Sequence, residues 1–327
     1  MNNDPEEIRR ALLLTGLDIE KPGLEVSPLY RPIALKSRHN VFYTDYTSAE
    51  DSRSKHSNYD HAEIMDIDFI WTPGVSLSEC VPVGKKFHWA IASHVLEHVP
   101  DPIGWLLEVF EVLEVGAVFS LALPDKHYCF DKFRRETDVA DLIDQWVRKQ
   151  RIPSPRQLYD FLSRSVDFNG KPYESADQFQ LATRNYTDEE ALNFVINSWT
   201  TGTYFDAHCS VFTPESFYDL LSKLNAIGII NVEASQPLAT NGEFHITLRK
   251  LGEPKVVHPG GPHKAAVGNS AEASVLNKDL AHARNAFVEA VAVQDQLKAT
   301  IARLDAKSGI WQLLRKVRGT FQRGMKS

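Results

Sequence analysis

The sequence predicts an α/β protein built on a doubly wound, mostly parallel sheet. Three observations carry this. Short apolar runs alternate with helix-like segments over residues 1–251. The runs at 23–26, 41–44, 64–67, 89–92 and 117–123 are apolar almost throughout, as strands covered on both faces require. Two last runs, 227–234 and 244–250, are separated by Gln-Pro-Leu-Ala-Thr-Asn-Gly, so an antiparallel pair joined by a turn-rich loop closes the body. In chain order, Asp4 caps a first helix, Pro5 occupies its first turn, Glu6 and Glu7 oppose its dipole, and Ile8, Leu12 and Leu13 form its apolar face. Between the fourth and fifth strands, Asp101 caps a helix that has Pro102 at its first turn and Trp105, Leu106, Val109, Phe110 and Leu113 inside; Gly116 is expected to end it. Residues 125–225 read as a mostly helical insert, with segments near 138–151, 154–163, 188–199 and 214–224.

With 327 residues, 43% hydrophobic and 24% charged, the chain can build a sizeable core, and its apolar stretches fall short of the ~20 residues of a membrane span. The amino terminus, Met1-Asn-Asn-Asp-Pro-Glu-Glu, is acidic where a secretory signal is basic and then apolar, so a cytoplasmic location is expected. Cys80, Cys129 and Cys209 fit neither a disulfide framework nor a metal knuckle and should be reduced. The net charge is −7, although Lys307, Arg315, Lys316, Arg318, Arg323 and Lys326 follow Asp305 with no acid among them. The body is therefore more acidic than the whole, which excludes nucleic-acid binding by general electrostatics.

Residues 252–275 read as a linker, rich in Gly, Pro, Ala and Ser. In 276–304, Leu276, Leu280, Ala283, Phe287, Ala290, Leu297, Ile301 and Leu304 follow a heptad, which suits a coiled coil, a helix on a partner protein, or a helix folded back on the body. In 310–327 the apolar Ile310, Trp311, Leu314, Val317 and Phe321 interleave with cations: either a short helix at the inner-membrane surface or a basic end that aids solubility.

An open parallel sheet binds ligands beyond the carboxyl ends of its strands. The residues there are Glu25 to Leu29, Asp45, Asp66 and Asp68, Ser93 and His94, and Asp125. Glu25 and Asp45 are separated by about the twenty residues of one βαβ unit, the spacing of a nucleotide-binding turn and the carboxylate that takes ribose hydroxyls. The glycine-rich phosphate cradle is missing, since no glycine follows Gly23 in the first turn. A dinucleotide is thereby disfavoured, and an adenosine-type ligand lacking phosphate fits. For each acid the plain alternative is a loop carboxylate that caps a helix or faces water.

The combination of Gly23-Leu-Glu25-Val-Ser27-Pro-Leu29 with Phe42-Tyr-Thr-Asp45, then Ala92-Ser93-His94-Val-Leu-Glu97-His98-Val-Pro-Asp-Pro102 and Leu113-Glu-Val-Gly116 through Pro124-Asp125, resembles the class I S-adenosylmethionine-dependent methyltransferases. Within them it is similar to the type 11-like branch found with bacterial polysaccharide-building enzymes. The resemblance covers about residues 20–250 and implies a seven-stranded Rossmann-like sheet with an antiparallel last strand, and S-adenosylmethionine as cofactor. It further implies that Glu25 lies near the methionine amino end, that Asp45 takes the ribose hydroxyls, that Asp66 or Asp68 accepts from the adenine amino group, and that Ser93 and His94 flank the sulfonium. Ser27 stands where the group has glycine. The implied reaction is O-methylation of a sugar or glycan hydroxyl; the alternative is a non-catalytic scaffold or binding protein of a polysaccharide assembly complex.

Methyl transfer to a hydroxyl needs alignment and a base. The candidates are His94, Asp125, His127 and His208, with His94 favoured by position. Arg134 and Arg135, beside Lys126 and Asp131, suit an anionic acceptor or form a solvated charge cluster. His94-Val-Leu-Glu97-His98 also has the inverted zinc-peptidase pattern, but Pro100 and Pro102 cut short the helix that pattern needs. No metal ligand is assigned, and Glu97 and His98 are read as closing a short helix after the fourth strand.

Overall fold

The computed structural model describes residues 5–55, 64–168, 173, 179 and 182–258. The coiled-coil-like helix, the basic tail and all but the first residues of the linker lie outside them. Helix α1 (Pro5–Leu14) leads into β1 (Gly23–Val26), β2 (Val41–Asp45), α2 (Ala49–Lys55), β3 (Phe69–Ile70), α3 (Leu77–Cys80), β4 (Phe87–Ser93), α4 (Pro102–Val112) and β5 (Leu113–Pro124). The insert supplies α5 (Val139–Val147), α6 (Pro155–Arg164), the hairpin β6 (Val166–Asp167) and β7 (Thr183–Arg184), and α7 (Asp188–Thr201). Then come α8 (Pro214–Ala226), β8 (Val232–Ala234), β9 (Leu238–Ala239) and β10 (Glu243–Lys250).

The main sheet runs β3-β2-β1-β4-β5-β10-β8, with β9 added on β10. Strands β1 to β5 are parallel, and β10 is antiparallel to both β5 and β8. This is a doubly wound, Rossmann-like sheet, seven positions across; β9 makes an eighth, short strand. Side chains alternate between the two faces as the pleat dictates. Ala90 and Ala92 join Leu24, Val26 and Phe119 under α4 and α8, whereas Trp89 and Ile91 join Val41, Tyr43 and Leu13 of α1. Gly23 is required here by packing: a Cβ on it would lie 1.9 Å from the Trp89 ring, an overlap that only a shifted strand or tryptophan relieves.

Three expectations are corrected. The third strand is at Phe69–Ile70, not 64–67: Met65 and Ile67 pack against the Tyr43 and Trp89 cluster, and pairing with β2 begins only at Thr44 with Phe69. Gly116 does not end α4, which stops at Val112; at φ 88° it lies inside β5, where the register against β4 breaks between Phe87 and Trp89. A bulge takes up the extra residues, and glycine supplies its left-handed turn. The strand expected at 227–234 is confined to Val232–Ala234, because Ile229 and Ile230 are buried beneath the end of α8. The helices of the insert follow their caps: Asp138, Ser154, Thr187 and Thr213 each accept a bond from the first turn of the next helix. No helix among the described residues is long and apolar enough to cross a membrane.

Candidate active site

Parallel strands bring Ser27, Asp45, Trp71, His94 and Asp125 to one edge of the sheet, and antiparallel β10 adds its first residue, Glu243, which pairs in register with Pro124. Between β1 and β4 the chain order reverses, the place where an open sheet leaves a crevice. Three residues without glycine's freedom have left-handed backbones at its rim: Ser27 (φ 54°), Leu29 (φ 46°) and His94 (φ 54°). Such strain gathers where surrounding structure holds a functional loop in place.

Glu25 does that holding on the β1 side. Its carboxylate is buried and accepts from Ile33 N at 2.7 Å and Ala34 N at 2.9 Å, tying down the far limb of the loop that Ser27 opens. Burial pushes this carboxyl up to about 7, against the two backbone bonds and the charges of Arg10 and Arg9. Ser27, at φ 54°, adopts a backbone that glycine takes without strain and serine does not. Ser27→Gly is therefore predicted to stabilise the chain by about 0.5–1 kcal/mol, the left-handed penalty less glycine's added unfolded-state entropy. Urea unfolding measures it, and an unchanged or lowered midpoint contradicts the argument.

Asp45 ends β2, buried, with Oδ1 accepting from Tyr46 N at 2.6 Å and its backbone carbonyl accepting from Trp71 N at 2.8 Å. Asp66 and Asp68 precede β3 and so stand short of its carboxyl end. Asp68 accepts from Tyr43 N and pairs with Lys36, both at 2.7 Å, and Asp66 is exposed and paired with Arg53. The residue beyond β3 is Trp71, stacked on Trp105 at 5.9 Å.

On the β4 side, Arg9 of α1 donates to Ser93 Oγ and, at 2.7 Å, to Glu243 Oε1. Glu243 also pairs with His94 Nε2 at 2.6 Å and His245 Nε2 at 2.9 Å. Burial disfavours a charged His94, but its hydrogen bond to Glu243 and its ion pair with Glu97 outweigh that and raise it to about 9. Glu243 is held well below the usual carboxylate range: its hydrogen bonds to His245, His94 and Arg9 overcome the burial that pushes it up. Neither Arg9 nor Glu243 was singled out in the sequence. The signal for Glu243 was available, since the first residue of an antiparallel last strand must lie at the carboxyl edge of its parallel neighbours.

Asp125 follows β5 but turns to the 3-10 turn it caps, accepting from His127 N at 3.0 Å and pairing with His127 Nδ1 at 2.8 Å. His208 is buried and comes next to Glu97 and His98, three and four residues beyond His94 in the motif. Arg134 is buried between Asp131 and Asp160, and Arg135 pairs with Asp138 and Asp141, so the two cations are spent within the insert.

No family model matches the chain, and no curated protein matches it. Among solved structures it is similar to a SAM-dependent methyltransferase, possible histamine N-methyltransferase, of Thermotoga maritima, at 12% identity over 75% of this chain and 89% of that one, with a TM-score of 0.37. It is also similar to DhpI in complex with SAH, at 14% identity over 79% and 84% of the two chains with a TM-score of 0.35. The corresponding values for a S-adenosylmethionine-dependent methyltransferase of Clostridium acetobutylicum are 9%, 76%, 90% and 0.38.

Proposed function

We propose that the chain is an S-adenosylmethionine-dependent methyltransferase with a small-molecule acceptor, the hydroxyl of a sugar or glycan. One observation carries the reading: the sheet edge at the β1–β4 switch brings together the Asp45 carboxylate and left-handed turns at Ser27, Leu29 and His94, with no glycine cradle for phosphate. A carboxylate at the end of β2 suits a diol, and a first turn without glycine disfavours a pyrophosphate. The sugar acceptor rests on the sequence resemblance.

The cofactor supplies a methyl group already activated by its sulfonium. Asp45 accepts from the ribose hydroxyls. Glu25 keeps the loop after β1 in shape and sets a negative charge toward the methionine amino end. Asp66 and Asp68 are given no part in the proposed site, because Asp68 is engaged by Tyr43 N and Lys36 and Asp66 by Arg53. Ser93 and His94 face the acceptor side, and His94 is the group proposed to receive its proton, acting in the neutral form it reaches by releasing a proton to solvent as pH rises toward its raised value of about 9. His94→Ala should leave S-adenosylhomocysteine binding within about twofold while slowing methyl transfer to an oligosaccharide panel by about 10²-fold or more. Equal loss of both contradicts the role.

The scaffold reading is favoured by a different observation, the bridge that Arg9 of α1 makes between Ser93 at the end of β4 and Glu243 at the start of β10. Calorimetric titration with S-adenosylhomocysteine separates the two. Saturable one-to-one binding supports the enzyme, and no heat at millimolar ligand leaves the scaffold.

A further inference from the structure

Beneath His94 the chain makes a 3-10 turn, Leu96–His98, that carries Glu97 inward. The strand-like segment bearing His208 is docked on the same turn, since Cys209 N and Ser210 N both donate to Glu97 O, at 2.6 and 3.1 Å. One ligand-capable atom each of Glu97, His98 and His208 thereby falls within 4.8 Å of the others. Three features of this cluster go beyond the methyl-transfer reading, in which Glu97 only helps to hold the proton on His94.

The first is the carboxylate. Glu97 is 0% exposed, and neither of its oxygens accepts a hydrogen bond; His94 Nδ1 stands 3.3 Å from Oε1 as an ion-pair partner, and Oε2 has no such neighbour. His94 compensates one oxygen of this buried carboxylate; Oε2 is left without a hydrogen-bond or ion-pair partner among the described residues, a costly position that a second cation would relieve. The second is the way the histidines are held. His98 Nδ1 pairs with Asp206 Oδ1 at 2.9 Å, and His208 Nδ1 pairs with Asp131 Oδ2 at 2.5 Å. An imidazole that donates from Nδ1 to a carboxylate keeps its lone pair on Nε2, the arrangement that orients metal-binding histidines. The third is how firmly that backing is built. Asp131 Oδ1 accepts from Arg134 Nη1 at 2.7 Å and Arg134 Nε donates to Asp160 at 2.9 Å, so the support of one ring extends through a buried chain of charges.

We propose that Glu97, His98 and His208 bind one divalent transition-metal ion of the zinc or manganese type. Two imidazoles and one carboxylate suit such ions, whereas magnesium and calcium prefer all-oxygen sites. At metal–ligand distances of about 2.0–2.2 Å, the ion draws the three groups together by roughly an ångström, leaving positions open for water or another ligand. The peptidase pattern is not what forms, because His94 turns its Nε2 to Glu243 and contributes no ligand.

The test uses the full chain, stripped with a chelator and titrated calorimetrically with zinc, manganese and magnesium chlorides. One equivalent of zinc or manganese should bind, far more tightly than magnesium, and cobalt substitution should give ligand-field absorption bands. Glu97→Gln should abolish uptake. Because Glu97 is in the core, Asp206→Asn, on a more exposed side chain, is the second variant and should weaken zinc by about 10–100-fold at an unchanged unfolding midpoint. Binding of neither zinc nor manganese by the stripped wild type, or wild-type affinity in both variants, overturns the site. S-adenosylhomocysteine titrated into the same stripped chain reports on the cofactor pocket separately, so either proposal can fail without the other.

Discussion

Substituting Asp45→Ala abolishes the rise in melting temperature that S-adenosylhomocysteine confers on the wild-type chain. A buried carboxylate facing a diol makes two charge-assisted hydrogen bonds, each worth about 1.5–3 kcal/mol, so their loss weakens binding by about 10²–10⁴-fold. At a ligand concentration of about 100 times the wild-type Kd, the wild type gains about 2.7 kcal/mol by mass action, while a variant binding 10²-fold more weakly gains about 0.4. The fold should survive the change. Asp45 Oδ1 accepts from Tyr46 N, and the strand bond at this point, Trp71 N to Asp45 O, is made by the backbone. Removing one such acceptor costs about 1 kcal/mol. Asp45→Asn, which keeps an acceptor of the same shape, should fall between the two. A ligand-induced shift in Asp45→Ala equal to that of the wild type, at matched ligand concentration, would falsify the ribose role and with it the site.

What the sequence made legible follows the range of the interactions involved. Helix α4 was readable because Asp101, Pro102 and the apolar spacing are local, and Asp101 Oδ1 does accept from Gly104 N. Strand β1 and the insert helices were readable for the same reason. The third strand was misplaced because an apolar run says only that a segment is buried, and Met65 and Ile67 are half-buried against a neighbouring cluster without pairing. At the candidate site, Asp45 and His94 could be placed from strand ends alone. Arg9 and Glu243 could not be ranked so easily, since their meeting joins residues 234 apart and depends on which way α1 crosses the sheet edge. Glu97 illustrates the limit in another form: its spacing in the motif was plain, but its complete burial is set by the segment around His208, more than a hundred residues away.

Glu25 makes the ligand-free chain lose stability as pH rises. Its carboxyl is raised from 4.5 to about 7 by burial, the largest influence on it, so between those values the folded chain holds a proton that the unfolded chain has released. Stability falls with pH wherever the folded state binds more protons. The contribution is therefore whole below about pH 4.5 and gone above about 7, a change of about 3 kcal/mol for this one group. Glu25→Gln removes the ionisation and puts an amide nitrogen against one of the two backbone N–H groups, Ile33 or Ala34, that the carboxylate serves; that penalty does not vary with pH. The wild type's advantage over Glu25→Gln should thus shrink by about 3 kcal/mol from pH 4.5 to 8 in urea unfolding series. A difference that stays constant across the range removes the buried-carboxyl account. Saturating S-adenosylhomocysteine gives the second half of the test. An ammonium brought beside Glu25 stabilises its ionised form and flattens the wild-type loss, whereas a loss unaltered by the ligand assigns Glu25 to the loop alone, as a clamp on Ile33 and Ala34 with no charge to offer the cofactor.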